Sequence, residues 1–291
     1  MSLFVQQNGT LTDYSPASHE TGSSWSLLSP IELSIKRKIE AVGKPLKDWD
    51  IKIYRGILTG CNEAFIIDGA KREEILNKCL SAAERERTDA LIRPILRGRD
   101  IKRYKAEWAG LYVLNVHNGI KEKNIPPIKI EEYPAIKAHL DLYWDKIAKR
   151  SDKGDTPYNL RNCVYMEDFL KQPKIGWGNL NLEGNYAYID KGIFINAPSP
   201  FIVPGDYYLL GVLNSKLADF YIKRLGVTRN GGYFEYKPMF VSQFPVPINK
   251  NNEIIDAVCC ILSGKKSADI DELVCKHYGL NDNETMFIKN L

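Results

Sequence analysis

Ile51 to Arg87 reads "IKIYRGILTGCNEAFIIDGAKREEILNKCLSAAERER". The first ten residues alternate, are rich in β-branched and aromatic side chains and close on Gly60, which predicts a strand running into a turn. "NEAFIIDG", Asn62 to Gly69, predicts a second strand ending at a tight turn. A single helix is expected over Ala70 to Arg87. Along the rest of the chain strands and helices alternate irregularly and never repeat a βαβ unit. The expected fold class is therefore α+β, a mixed body followed by a C-terminal helical unit.

On the N-terminal side, "SPIELSIKRKIEAVG" carries a complete helix start. Ser29 is the N-cap, Pro30 takes the first helical position and Glu32 closes a capping box. Ile31, Ile35, Ile39 and Val42 fall on one face, and Gly43 ends the helix. Residues 1–28 are polar and rich in Ser, Thr, Gly and Asn, as a weakly ordered leader or linker would be. On the C-terminal side "GLYVLNV" predicts a strand and "YPAIKAHLDLYWDKIAKR" an amphipathic helix with Ile136, Leu140, Tyr143 and Ile147 at helical spacing. "PKIGWGN", "NYAYID" and "IFINAP" are short strand-like pieces in a Gly-, Asn- and Pro-rich region, "YLLGVLNSKLADFYIKRLG" returns to helix, and "GGYFEYKPMFVSQFPVP" to strand and loop. The last forty residues are helical in pattern. These readings divide the chain into a leader at 1–28, an α+β body at 29–247 and a helical unit at 248–291. Charge follows a similar division. Residues 252–291 hold four basic and seven acidic side chains, a balance of −3, so the formal +4 of the chain leaves +7 for residues 1–251.

A hydrophobic fraction of 44% beside 26% charged residues argues against bulk disorder and for a buried core. No apolar run approaches the roughly 20 residues that span a bilayer, and the N-terminus lacks the basic start and apolar stretch of a signal peptide. The six cysteines form no Cys-x-x-Cys pair and lie far from His117 and His139, so zinc binding is not expected. Isolated, apolar-flanked cysteines fit a reducing compartment, and the expected location is the cytoplasm. Neither G-x-G-x-x-G nor G-x-x-x-x-G-K-[ST] occurs, and there is no G-x-S-x-G and no His-Glu-x-x-His.

Candidate chemistry lies in the basic segments. "RPILRGRDIKRYK", Arg93 to Lys105, holds six basic side chains and one acid, and Pro94 and Gly98 interrupt any long helix. A turn or short strand there would offer Arg93, Arg97, Arg99, Lys102, Arg103 and Lys105 to an anion. "KIAKRSDKGDTPYNLR" adds Lys153 and Arg161, and "KRLGVTRNGGYFEYK" adds Arg224, Arg229, Asn230, Tyr233 and Lys237. Lysine and arginine neutralise phosphates, while arginine and asparagine fork onto guanine and adenine edges respectively. Asn-Gly is also the strongest short hairpin signal, which places Arg229 and Asn230 at a turn before Gly231 and Gly232. Each segment taken singly reads as a solvated face, whereas three in one +7 body point to nucleic acid. Two other readings stand beside this one. Asp206, Glu235 and Lys237 formally match the split acids and lysine of a metal-dependent nuclease. Alternatively, the basic loops are solvated parts of a protein-interaction domain.

Five segments in order resemble one family: "DIKIYRGILTGCNEAFIID", "LIRPILRGRDIKRY", "NCVYMEDFLKQPKIGW", "YLLGVLNSKLADFYIKRLG" and "GGYFEYKPMFVSQFPVP". They are similar to the TaqI-like C-terminal specificity domain, the target recognition module of adenine-N6 DNA methyltransferases and of single-chain type II restriction-modification enzymes. The resemblance runs from about Ser29 to the C-terminus. It implies a specificity-domain-like mixed α/β body, double-stranded DNA as the ligand, and a methyltransferase or endonuclease module in the same or a partner polypeptide. An adenine-methylation motif of the Asn-Pro-Pro-Tyr type and a glycine-rich S-adenosylmethionine loop are absent from this sequence. The resemblance therefore implies no cofactor, metal or catalytic residue in this chain. S-adenosylmethionine, and magnesium for an endonuclease half, belong to the parent enzyme.

Overall fold

The computed structural model describes residues 28–291, so the expected leader lies, except for Leu28, outside the described residues. The fold is α+β and divides into two compact units. The first comprises residues 52–179 and 185–206 and contains two sheets, and the second comprises the described residues up to 51, 180–184 and 207–291.

In the sheet unit, the strand foreseen at Lys52–Arg55 forms one edge of a five-stranded sheet. It is followed in space by Pro200–Val203, Lys174–Trp177, Tyr186–Ile189 and, at the other edge, Tyr104–Lys105. All neighbours are antiparallel except the last pair, where Tyr104 and Lys105 run parallel to Ala187 and Tyr188. Lys174–Trp177 and Pro200–Val203 are buried at every position, as befits inner strands covered on both faces. A four-stranded sheet orders Phe194–Ile195, Ile92–Leu96, Leu111–Leu114 and Ile66–Asp68. One core runs through this unit, with Phe169 stacked on Phe194 at 4.7 Å and tilted against Phe201 at 4.6 Å.

Local chemistry breaks several elements that periodicity alone joins. "NEAFIIDG" is not one strand: Asn62–Phe65 forms a single helical turn that buries Ala64 and Phe65, and only Ile66–Asp68 is extended. The helix expected over 70–87 is two helices, Gly69–Asn77 and Ala82–Leu91. Ser81 sits between them as a new N-cap, its hydroxyl accepting from the Glu84 N–H. The amphipathic segment after Tyr133 likewise divides into Pro134–Asp141 and Trp144–Ile147. Within it Ile136, Leu140 and Ile147 are buried as the spacing requires.

Arg150 fixes the loop that follows. Its buried guanidinium lies over the Phe65 ring at 4.4 Å and donates to the carbonyls of Thr59, Asp152, Pro157 and Asn159. Burial draws its pKa down to about 10. Lys174 does similar work, donating from a buried strand to the carbonyls of Phe169, Gln172 and Asp190 at 3.0–3.2 Å. Both cations are therefore structural.

In the helical unit, the capping box of Pro30–Val42 forms as read, with Ser29 accepting from the Glu32 N–H and Glu32 accepting from the Ser29 N–H. Ile35 and Ile39 are buried, but Val42 at the end of the same stripe is largely exposed. "YLLGVLNSKLADFYIKRLG" splits into Tyr207–Leu213 and Lys216–Leu225 because Ser215 caps the second helix. The tail forms three helices, Asn252–Leu262, Ile270–His277 and Asp282–Lys289. They do not stand apart from the body at residue 248. Gly211 approaches Ile254 and Val258 so closely that a Cβ would lie 2.6 Å from Ile254 Cγ2. Tyr278 donates to the Pro245 carbonyl at 2.8 Å, and Lys38 pairs with Glu284 at 2.6 Å. Residues 30–42, 207–225 and 252–289 therefore share one packed unit, and a division at 247/248 would cut through it.

Removing the Arg150 guanidinium leaves the Thr59, Asp152 and Pro157 carbonyls without their donor, while Asn159 keeps only the Gly154 N–H. Arg150→Ala is expected to cost about 3–5 kcal/mol in chemical denaturation. A loss below 1 kcal/mol would show that water replaces it.

Candidate nucleic-acid interface

The strand Ile92–Leu96 runs into one 3-10 turn, Gly98–Asp100, and then into a tight hairpin. Gly98 lies against Ser199, whose Oγ would be 2.8 Å from any added Cβ, so the turn is held close to the 196–199 segment. Asp100 is the buried anchor of the turn. Its carboxylate accepts from the Arg97 backbone N–H at 2.8 Å and from the Arg97 side chain through Nε at 2.9 Å and Nη2 at 2.7 Å. Burial works to raise the Asp100 carboxyl, but these hydrogen bonds and the charges of Arg97 and Arg99 hold it below the ordinary range. The Arg97 guanidinium is thus paired with Asp100.

Beyond Asp100 the chain doubles back. Ile101 bridges to Ala106, Glu107 donates to the Asp100 carbonyl at 2.8 Å, and Lys102 donates to the Lys105 carbonyl at 3.2 Å. Arg103 and Tyr104 form the two-residue tip. Tyr104 has a φ of 74°, a position that glycine or asparagine usually fills and that costs another residue roughly 1–2 kcal/mol. The Arg103 guanidinium lies 5.5 Å from the Tyr104 ring centre. Arg99, Lys102, Arg103 and Lys105 are all exposed. Among the described residues, Arg99, Lys102 and Lys105 have no side-chain hydrogen bond or ion pair. Arg93, by contrast, lies within the four-stranded sheet opposite Val113 and is half-buried.

The second basic segment is largely satisfied from within. Lys153 donates to the Ala148 carbonyl at 2.8 Å and Arg161 pairs with Asp152 at 2.7 Å. Arg161 also lines a narrow cleft with Arg55, Asn162, Cys163 and Tyr165. Arg55, the last residue of the strand Lys52–Arg55, is exposed and interacts with the Tyr165 side chain.

In the helical unit, the third segment forms the hairpin that Asn-Gly signals. Thr228 bridges to Phe234, and Gly231 and Gly232 both have a φ of 78°. Arg229, Asn230 and Tyr233 are exposed at its tip. The neighbouring strand Phe234–Glu235 pairs with Leu180–Asn181. Glu235 is buried and takes Arg229 Nε at 2.6 Å and Lys237 Nζ at 2.7 Å, which hold its carboxyl low. Arg224 is pinned against the Phe220 ring, 3.6 Å from its centre, and paired with Glu32. Arg224, Arg229 and Lys237 thus have acidic partners. The same contacts count against a nuclease site, because both Glu235 oxygens are occupied by cations. Among the described residues no three His, Cys, Asp or Glu side chains cluster as metal ligands.

Residues 93–246, more than half of the chain, match the family model of the TaqI-like C-terminal specificity domain. The chain belongs to this family. The match begins at Arg93, the first cation of the basic stretch. The chain is also similar to parts of longer proteins. The chain is 20% identical over 234 residues to the type II methyltransferase M.PaeR7I of Pseudomonas aeruginosa, covering 77% of this chain and 37% of that protein. The type IIL restriction-modification enzyme MmeI, solved in complex with DNA, shares the fold with a TM-score of 0.60 and 11% identity, over 85% of this chain and 37% of its own. The type IIG restriction endonuclease BpuSI superposes with a TM-score of 0.57 and 14% identity, over 90% and 32%. The chain thus spans about a third of the length of each of these relatives.

A carboxyl lowered by folding stabilises above its unfolded value of about 3.9 and loses that contribution as pH falls through the lower folded value. Arg97→Ala is expected to cost about 2–4 kcal/mol at neutral pH, with the deficit shrinking below about pH 4 as Asp100 is protonated in both proteins. Equal deficits at neutral pH and at pH 3 in denaturation curves would show that the pair is not the cause.

Proposed function

We propose that this chain is the target recognition module of a type II restriction-modification enzyme or adenine-N6 DNA methyltransferase, and that it holds double-stranded DNA. The observation that carries the reading is the hairpin after Asp100. In a specificity-domain fold it presents exposed Arg99, Lys102 and Lys105, whose side chains make no hydrogen bond or ion pair among the described residues. Phosphates supply the missing counter-charge and release condensed cations on binding. Arg103 joins this group through its place at the tip. Lys153 and Arg161 are secondary contacts, since each keeps an internal partner.

Base reading is assigned in part to the second hairpin. Asn230 is exposed at its tip and carries the amide that forks onto adenine, and Tyr233 beside it offers an exposed ring. Arg229 would reach guanine only by exchanging Glu235 for the base edge. Arg93, Arg97, Arg224 and Lys237 support the loops rather than touch DNA. S-adenosylmethionine, and magnesium where the parent cuts DNA, are assigned to a catalytic module outside this chain. Six free thiols support a reducing cytoplasmic setting. No described helix is long and apolar enough to cross a membrane.

The test is the salt dependence of duplex affinity. Arg99→Ala and Lys102→Ala are each expected to weaken binding to all duplexes and to flatten the slope of log affinity against log salt by roughly one unit. Lys237→Ala is expected to leave that slope unchanged. Binding that does not respond to salt, or equal slopes in all these proteins, would refute the reading.

A further inference from the structure

Asp100 and Glu235 are both buried acids within basic hairpins, but their partners differ in number. Both Asp100 oxygens are taken by Arg97 alone, through Nε at 2.9 Å, Nη2 at 2.7 Å and the backbone N–H at 2.8 Å. The Glu235 oxygens are divided between two cations. Oε1 accepts from Arg229 through Nε at 2.6 Å and pairs with its Nη2 at 2.5 Å, while Oε2 pairs with Lys237 Nζ at 2.7 Å.

That difference decides which arginine can leave its acid. Withdrawing Arg97 strands a buried carboxylate that has no other ion pair, which is costly. Withdrawing Arg229 leaves Glu235 still paired with Lys237. Lys237 also loosens the hold on Arg229, because one negative charge is shared between two positive charges that repel each other. Exposure follows the same order, with the Arg229 side chain 55% exposed and that of Arg97 28%. The other two members of the triad are anchored without Arg229. Glu235 sits on the strand paired with Leu180–Asn181, and its N–H donates to the Val227 carbonyl at 3.2 Å. Lys237 begins the helix Pro238–Val241, its carbonyl accepting from the Phe240 and Val241 N–H groups at 2.9 and 3.1 Å. Arg229 is therefore the member of the triad that can be released, and Lys237 is what makes its release affordable.

We infer that Lys237 is a positioning residue for base reading: it stays on Glu235 and so lets Arg229 exchange that carboxylate for a guanine edge. This inference rests on the duplex-binding reading above. The experiment selects preferred sequences from a pool of random duplexes with the full chain, then measures affinity for each single-base-pair change in the selected duplex. Arg229→Ala is expected to lose about ten-fold of preference at one base pair, since a lost base contact acts on that scale. Lys237→Ala should lose it at the same base pair, with affinity for an unrelated duplex and its salt slope unchanged. Lys237→Arg should keep it. Combining Lys237→Ala with Glu235→Gln is expected to restore the preference, because no carboxylate then holds Arg229 back. A lysine that only supported the fold would not be rescued by losing its partner. Full preference in Lys237→Ala would overturn the inference, as would a double variant no better than Lys237→Ala, or full preference at every base pair in Arg229→Ala. If the unchanged chain binds no duplex at all, the reading on which the inference rests falls, and the inference with it.

Discussion

A carboxylate buried within the most basic stretch of the chain organises what lies around it. Asp100 is surrounded by six cations in sequence, and the structure allows one of them, Arg97, to close a bidentate fork on it. That fork ties the end of a core strand to the start of a hairpin, so the turn has a fixed direction. Because Asp100 accepts from the Arg97 backbone as well, its oxygens are taken up by one residue. Arg99, Lys102 and Lys105 are left facing solvent. The same arithmetic of local neutrality runs through the other basic segments with the opposite result. Glu235 takes Arg229 and Lys237, Asp152 takes Arg161, and Glu32 takes Arg224. Of the three basic segments, the first therefore keeps the most cations without an ion-pair partner.

Much of the fold was legible because its signals are local. The capping box at Ser29 and Glu32 lies within four residues, and the Asn-Gly-Gly turn needs only its own backbone. Alternation located Lys52–Arg55, Leu111–Leu114 and Tyr186–Ile189. Boundaries failed where a cap falls inside a helical pattern, as at Ser81 and Ser215, since a serine there fits either a helix interior or a new start. Asn62–Phe65 failed because four residues are too few for any period to show.

The site was legible as a stretch but not as a set of roles. Asp100 lies three residues beyond Arg97, so their pairing could have been read from i,i+3 spacing. The partner of Arg224 lies 192 residues away, and no local pattern announces it. Arg150 reads in sequence as one more cation of a basic loop, because backbone carbonyl partners leave no mark in the sequence. Sequence reports how much charge a segment holds. Which charges remain available depends on long-range pairing.

Hydrogen–deuterium exchange of the full chain, with and without a duplex in excess, tests the central claim most directly, since it reports where the ligand lies without altering a residue. Slower exchange is expected on DNA addition for the amides from Gly98 to Ala106, with little change in Ile270 to His277, a helix of the acidic tail. Unchanged exchange across 98–106 at saturating duplex would contradict the account.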